Sequence, residues 1–123
     1  MPLVVIDHVQ LAMPAGGEAK ARTFYESILG IPEVSKPAEL AKRGGAWFER
    51  DGIKVHLGVD PNFVPAKKAH PGFIVDDLDD LIERLGNAGH EAAVEPTEDG
   101  RRAFVHDPFG NRIELIAPAR PPA

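Results

Sequence analysis

The chain has no cysteine. That excludes a disulfide framework, thiolate metal sites and cysteine nucleophiles, and it fits a reducing cytoplasm. It also has no run of basic residues: 14 Lys and Arg stand against 19 Asp and Glu, for a formal net charge of −5. A phosphate backbone or an anionic membrane surface finds no landing patch here, so neither nucleic acid nor membrane is expected as a partner. No apolar stretch reaches membrane-spanning length, and Met1-Pro2-Leu3-Val4 lacks the basic start of a signal peptide, so the expected location is the cytoplasm. Aromatic residues make up only 7%, which speaks against a broad stacking cleft. What remains is an ordinary composition, 43% hydrophobic and 27% charged over 123 residues, enough for one domain to close its own core. Small molecules are the expected ligands.

The most informative stretch is HDPFGNRIELIAP, His106 to Pro118. In Asp107-Pro108-Phe109-Gly110-Asn111, proline presets φ early in a turn, Gly or Asn suits the left-handed position, and Asp can bond the local backbone. The chain must reverse there. The residues that follow alternate as a strand does, Ile113 and Leu115 on one face, Glu114 and Ile116 on the other. Glu114 is a carboxylate on a strand face, and such a group needs a partner or water.

In chain order, Val4 to Met13 reads as a strand covered on both sides, interrupted only by Asp7, His8 and Gln10. Pro14 to Gly17 breaks it. From Glu18, apolar residues at Ala21, Phe24, Tyr25, Ile28 and Leu29 fall at helical spacing until Gly30. Ser35 to Gly45 reads as a short strand end and a polar loop, then Ala46 to Glu49 as a strand, with Asp51-Gly52 as a two-residue hairpin. In the next strand Ile53, Val55, Leu57 and Val59 share one face and Lys54, His56 and Gly58 the other. Asp60 to Lys68, holding Pro61 and Pro65, reads as a linker. After it the plan repeats: a strand over 69–75 containing His70, a helix capped by Asp76 to Asp80 with a Leu78, Leu81, Ile82, Leu85 stripe, then short strands to Pro118. The tail at 119–123 is Pro-rich and expected to fray.

The two halves superimpose as patterns. Module 1 covers about 4–59 and module 2 about 69–118, each reading strand, helix, then three strands. His8 and His70 occupy matching positions early in each half, each three residues before an apolar strand residue, Leu11 and Phe73. Late in each half Val55-His56-Leu57 matches Ile113-Glu114-Leu115. If the modules pack about a pseudo-twofold axis, all four polar residues can point into one cavity.

With the duplicated βαβββ plan, the early-strand histidines and the DPFGNRIEL stretch, the chain resembles the vicinal oxygen chelate superfamily of glyoxalases, bleomycin resistance proteins and extradiol dioxygenases. The resemblance runs over nearly the whole chain. It implies an α+β fold in which two βαβββ modules form a cupped mixed sheet with helices outside, a homodimer, and a divalent metal held by His8, His56, His70 and Glu114. Imidazole nitrogen with carboxylate oxygen suits Zn²⁺, Ni²⁺, Co²⁺, Mn²⁺ or Fe²⁺. Two histidines and a glutamate leave coordination positions open for two adjacent substrate oxygens, with the ion acting as a Lewis acid. His56 is then either a fourth ligand or an acid/base group.

Structural alternatives stand beside these roles. A strand histidine is commonly a hydrogen-bonded, half-buried residue, and Glu114 has Arg102 and Arg112 available as surface partners. His90 and His106 read as structural, and the Asp76 to Asp80 run as a helix cap. Family members also differ where it matters. Glyoxalase I has a carboxylate where His56 stands. The extradiol dioxygenases share a His, His, Glu set but carry further modules. The fosfomycin transferases need a cationic pocket, to which Arg43, Arg101 and Arg102 are candidates. Methylmalonyl-CoA epimerase, another member of the superfamily, has a glutamine at the His56 position and a glutamate base on a neighbouring strand, a role for which Glu49 is the candidate here. The function expected is that of a metal-dependent enzyme acting on a small molecule with vicinal oxygens. The alternative is a metal-free small-molecule or antibiotic binding protein of the bleomycin resistance kind.

Overall fold

The structure is a computed structural model and describes residues 2–119. The chain divides into two compact units, Met1–Val64 and Pro65–Ala123, and the boundary falls inside the expected linker. Most of the tail expected at 119–123, all but Ala119, lies outside the described residues.

The first unit consists of β1 (Val9–Met13), α1 (Glu18–Ala21) running directly into a wider π-helical stretch (Arg22–Ile28), β2 (Glu33–Val34), a short α2 (Ala38–Ala41), β3 (Ala46–Arg50) and β4 (Ile53–Val59). Its sheet has the order β1-β4-β3-β2, with β1 parallel to β4 and the other pairs antiparallel. The helical segment buries Ala21, Phe24, Tyr25 and Ile28 with Met13, Ala46, Phe48, Val55 and Leu57 of the sheet. Tyr25 stacks on Phe48 with ring centroids 5.4 Å apart. The alternation of β3 and β4 therefore puts Trp47, Glu49, Lys54, His56 and Gly58 on the face away from the helix.

The second unit repeats this plan. Its elements are β5 (Gly72–Ile74), α3 (Leu78–Asn87), β6 (Ala93–Thr97), β7 (Gly100–His106) and β8 (Arg112–Pro118), in a sheet of order β5-β8-β7-β6. Leu78 and Leu85 of α3 are buried, as are Ala103, Val105, Ile113 and Leu115 on one face of the sheet. Arg102, Phe104, Arg112 and Glu114 take the other face. Asp77 caps α3, its carboxylate accepting from the Asp80 backbone N–H at 3.1 Å. Each unit is thus a four-stranded mixed sheet with helix on one side, an α+β arrangement.

The reversal at 107–111 is built as its residues require. Asp107 is buried, and its carboxylate accepts the backbone N–H groups of Phe109 and Asn111 at 2.9 Å and the Asn111 side-chain amide at 2.9 Å. Gly110 takes the left-handed conformation with φ 94°.

Four expectations need correction, one being the strand read over 69–75, which spans only Gly72–Ile74 and leaves His70 before its start. The first strand starts at Val9 instead of Val4, and Leu3 to Ile6 are exposed. The cause is register: Val9 pairs with Val55 and β4 begins at Ile53, so residues before Asp7 run past the end of their partner. The stretch read as a loop at 35–45 contains a helical turn, α2. The helix read from Glu18 to Gly30 ends in a π-helical stretch, in which the Leu29 N–H bonds the Phe24 carbonyl at 3.0 Å.

Glu18 ties the helix start to the loop before β3, its Oε2 accepting from the Gly45 N–H at 2.8 Å. This bond holds the Glu18 carboxyl below its ordinary value of 4.5. A carboxyl lowered in the folded state adds stability that is complete above the unfolded value and is lost as pH falls through the folded one. Glu18→Gln should therefore destabilise the protein at pH 7 by less than about 1 kcal/mol, the discount reflecting solvent screening. The difference between variant and parent should shrink as pH drops below the ordinary glutamate value. Urea titrations at several pH values check it; a gap that widens on acidification would contradict it.

Candidate metal and acid/base site

The sheet register reproduces the internal repeat. Gln10 pairs with His56, and Gly72 pairs with Glu114. His8 and His70 therefore stand at equivalent points, each two residues before the residue opposite the late polar group. Each late group also has an aromatic partner on the next strand, Trp47 across from His56 and Phe104 across from Glu114.

In the second unit, His70 Nε2 lies 3.0 Å from Glu114 Oε1, and His70 Nδ1 lies 2.7 Å from the Lys68 carbonyl oxygen. A carbonyl only accepts, so Nδ1 carries a proton there. Nε2 and the carboxylate oxygen then face each other as two electron-pair donors, and a proton or another cation must lie between them. The spacing also fits a metal: donors roughly 2.1 Å from one ion and at right angles to each other are about 3 Å apart. Glu114 Oε2 is 3.7 Å from Arg102 Nη1, and Arg102 Nε bonds Glu95 at 2.6 Å.

In the first unit, His8 Nδ1 lies 2.9 Å from Asp7 Oδ2. The carboxylate accepts this proton, which leaves Nε2 of His8 as the electron-pair nitrogen, as Lys68 does for His70. The hydrogen bond to His8, assisted by Lys54, holds the Asp7 carboxyl below its usual range. His56 is engaged differently. It is buried, its Nε2 is 2.6 Å from Glu49 Oε2, and its ring lies between Trp47 (centroids 4.0 Å apart, planes at 3°) and His8 (4.4 Å, 21°).

The four residues selected from sequence are thus brought together as two sets, His70 with Glu114 and His8 with His56. Among the described residues, no three His, Cys, Asp or Glu side chains are gathered closely enough to hold a metal ion. Glu49, read from sequence as a candidate base with a free strand-end carboxylate as the simpler expectation, is half-buried and bound to His56. Asp7 and the Lys68 carbonyl, which orient the two histidines, had no signal beyond adjacency in the chain. Trp47 had none either, because only the pairing of β3 with β4 puts it on His56. Of the candidate cations, Arg101 lies on the helix side of its sheet, bound to Asp79 through two contacts of 2.7 and 3.4 Å. That pairing raises the Arg101 guanidinium and lowers the Asp79 carboxyl. His90 Nδ1 meets the His106 carbonyl oxygen at 3.1 Å.

Two mixed sheets of the same strand order, each with a histidine leading toward a late polar residue on its helix-free face, define a duplicated βαβββ protein. Residues 5–115 match the model of the Glyoxalase/Bleomycin resistance protein/Dioxygenase superfamily, and the chain belongs to that superfamily. Among solved structures, a glyoxalase family protein from Bacillus anthracis is 45% identical, covering 94% of this chain and 96% of that one, with a TM-score of 0.88. A glyoxalase/dioxygenase from Nostoc punctiforme is 26% identical, covering 95% and 92%, with a TM-score of 0.77. The fosfomycin resistance protein FosX from Listeria monocytogenes, 18% identical over 94% and 93% of the two chains, shares the fold with a TM-score of 0.76. A search of curated protein sequences gave no match.

Proposed function

We propose that the protein is a metal-dependent enzyme in which His8, His70 and Glu114 hold one divalent ion and the His56–Glu49 pair moves a proton. The observation that carries this reading is the His70–Glu114 contact, two electron-pair donors 3.0 Å apart with the histidine's other nitrogen already committed to a carbonyl. His8 has its nitrogens disposed in the same way, so its Nε2 is the natural third donor. The ion, when bound, supplies Lewis acidity toward two adjacent oxygens of a small-molecule substrate. Zn²⁺, Ni²⁺, Co²⁺, Mn²⁺ and Fe²⁺ all suit nitrogen and oxygen donors of this kind. His56 is buried with its Nε2 2.6 Å from Glu49, a short hydrogen-bonded pair suited to passing a proton. Within that pair Glu49 accepts a proton from the substrate directly or through His56, and the packing of the imidazole between two rings fixes its orientation.

The assembly that goes with the family resemblance is a homodimer. No helix among the described residues is long and apolar enough to cross a membrane, and the absence of cysteine supports a cytoplasmic setting. A second reading, a metal-free small-molecule binding protein, draws support from the aromatic faces of Trp47 and Phe104 beside His56 and His70.

Metal analysis separates the two. Protein stripped with chelator and reloaded should take up close to one divalent ion per chain, and Glu114→Gln should weaken that uptake by roughly a hundredfold, with His70→Ala and His8→Ala comparable. Uptake unaffected by His8→Ala would remove the third donor. A protein that takes up no metal would favour the binding reading.

A further inference from the structure

The internal repeat pairs Lys54 with Arg112, each two residues before the late polar group of its unit. In the first unit Lys54 Nζ is 3.5 Å from Asp7 Oδ1, so its charge has an acidic partner. The residue of the second unit equivalent to Asp7 is Ala69, which has no carboxylate. Arg112 accordingly forms no ion pair among the described residues. Its one hydrogen bond is a long contact of Nη1 to the Lys68 carbonyl, 3.4 Å. Its guanidinium instead lies over the Phe104 ring, 4.0 Å from the centroid, while His70 meets the same ring edge-on at 5.2 Å. In a chain with a surplus of carboxylates, a cation resting over a ring next to a candidate metal pair has a specific consequence. A guanidinium that meets a ring and a carbonyl but no carboxylate keeps N–H donors for an anion, and a carboxylate or phosphonate can take two of them in parallel hydrogen bonds.

We propose that Arg112, seated on Phe104, is an anchoring site for the anionic group of the substrate. The inference rests on the reading of His70 and Glu114 as metal donors and sharpens it. Arg112 and Glu114 are alternate residues of one strand and project from the same face, with backbones roughly 7 Å apart. The substrate class is therefore a small oxygenated acid whose carboxylate or phosphonate lies a few bonds from the two oxygens presented to the ion. Arg101 cannot serve, being on the opposite face and tied to Asp79, and Arg102 is already bound to Glu95.

The test uses the full chain, metal-free and zinc-loaded, titrated with acetate and with methylphosphonate while the arginine Nε–Hε NMR resonances are followed. The expected result is a saturable shift of the Arg112 resonance and affinity for both anions roughly tenfold or more lower in Arg112→Gln. Arg112→Lys should recover part of it. Equal anion affinity in Arg112→Gln and the parent, or a shift confined to Arg101 and Arg102, would overturn the proposal, and so would a loss of melting temperature in Arg112→Gln with anion binding intact. Should Arg112→Gln not fold, the parent resonance alone decides. Metal content measured in the same samples keeps the two readings apart: bound metal with Arg112 indifferent to anions sinks only the anchor, and Arg112-dependent anion binding without metal uptake sinks only the metal reading.

Discussion

Glu49→Gln should lower turnover by about two orders of magnitude or more while leaving metal uptake at the level of the parent protein. The size follows from what a positioned general acid or base contributes, roughly 10²- to 10⁴-fold. The substitution keeps the shape of the side chain and removes its capacity to take up a proton. His56 Nε2 would still find an oxygen near 2.6 Å, so the stack with Trp47 and His8 should persist. Turnover is to be measured on whichever of the α-hydroxythioester, catechol or epoxyphosphonate classes a screen with several divalent metals selects. His56→Ala provides the contrast. If His56 moves protons, its removal lowers turnover and leaves metal uptake alone; if metal uptake falls instead, His56 is a ligand. Turnover of Glu49→Gln within a few-fold of the parent would end the acid/base role.

The second large effect is on stability. Gly45→Ala should destabilise the protein by about 2–4 kcal/mol. Gly45 sits at φ 85°, and a Cβ built there would lie 2.1 Å from the backbone carbonyl oxygen of Leu57. A backbone atom in the middle of β4 cannot yield as the end of a flexible side chain would. The Gly45 N–H also donates to Glu18, so a shift of the loop breaks that bond as well. Gly86→Ala is the control: in the last turn of α3, with nothing within 4 Å of the added methyl, it should be neutral or stabilising by up to about 1 kcal/mol. Urea denaturation of both variants decides the matter, and a Gly45→Ala protein within about 0.5 kcal/mol of the parent would mean that the strand shifts more freely than its register implies.

Much of the fold could be read in advance because the signals were local. The Asp107 to Asn111 reversal rests on residue types whose preferred dihedrals and self-contained hydrogen bonds do not depend on distant neighbours, and it formed as expected. The Asp77 cap and the Leu78 and Leu85 stripe of α3 are likewise short-range features. The early end of β1 was not legible, since it depends on where the partner strand begins. The apolar residues Leu3 to Ile6 have the composition of a strand, but a strand exists only where another backbone offers hydrogen bonds. The π-helical stretch also leaves no mark on a periodicity that differs from the α-helix by a fraction of a residue per turn.

At the site, sequence alone determined which positions correspond: the repeat matched His8 with His70 and His56 with Glu114, because matching positions in two halves of a duplicated chain are a property of order along the polymer. Only the tertiary structure decided what each nitrogen faces. Lys68, Asp7 and Glu49 reach the three imidazoles across a loop, a neighbouring peptide and an adjacent strand, and those contacts separate the two histidines held through Nδ1 from the one held through Nε2 by Glu49. The same holds for Arg112, whose own half has Ala69 where the first half has Asp7 and whose seat on Phe104 exists only because β7 and β8 pair in that register. Hydrogen bonds are directional and short, so their assignment waits until side chains far apart in the chain have been brought to within about 3 Å.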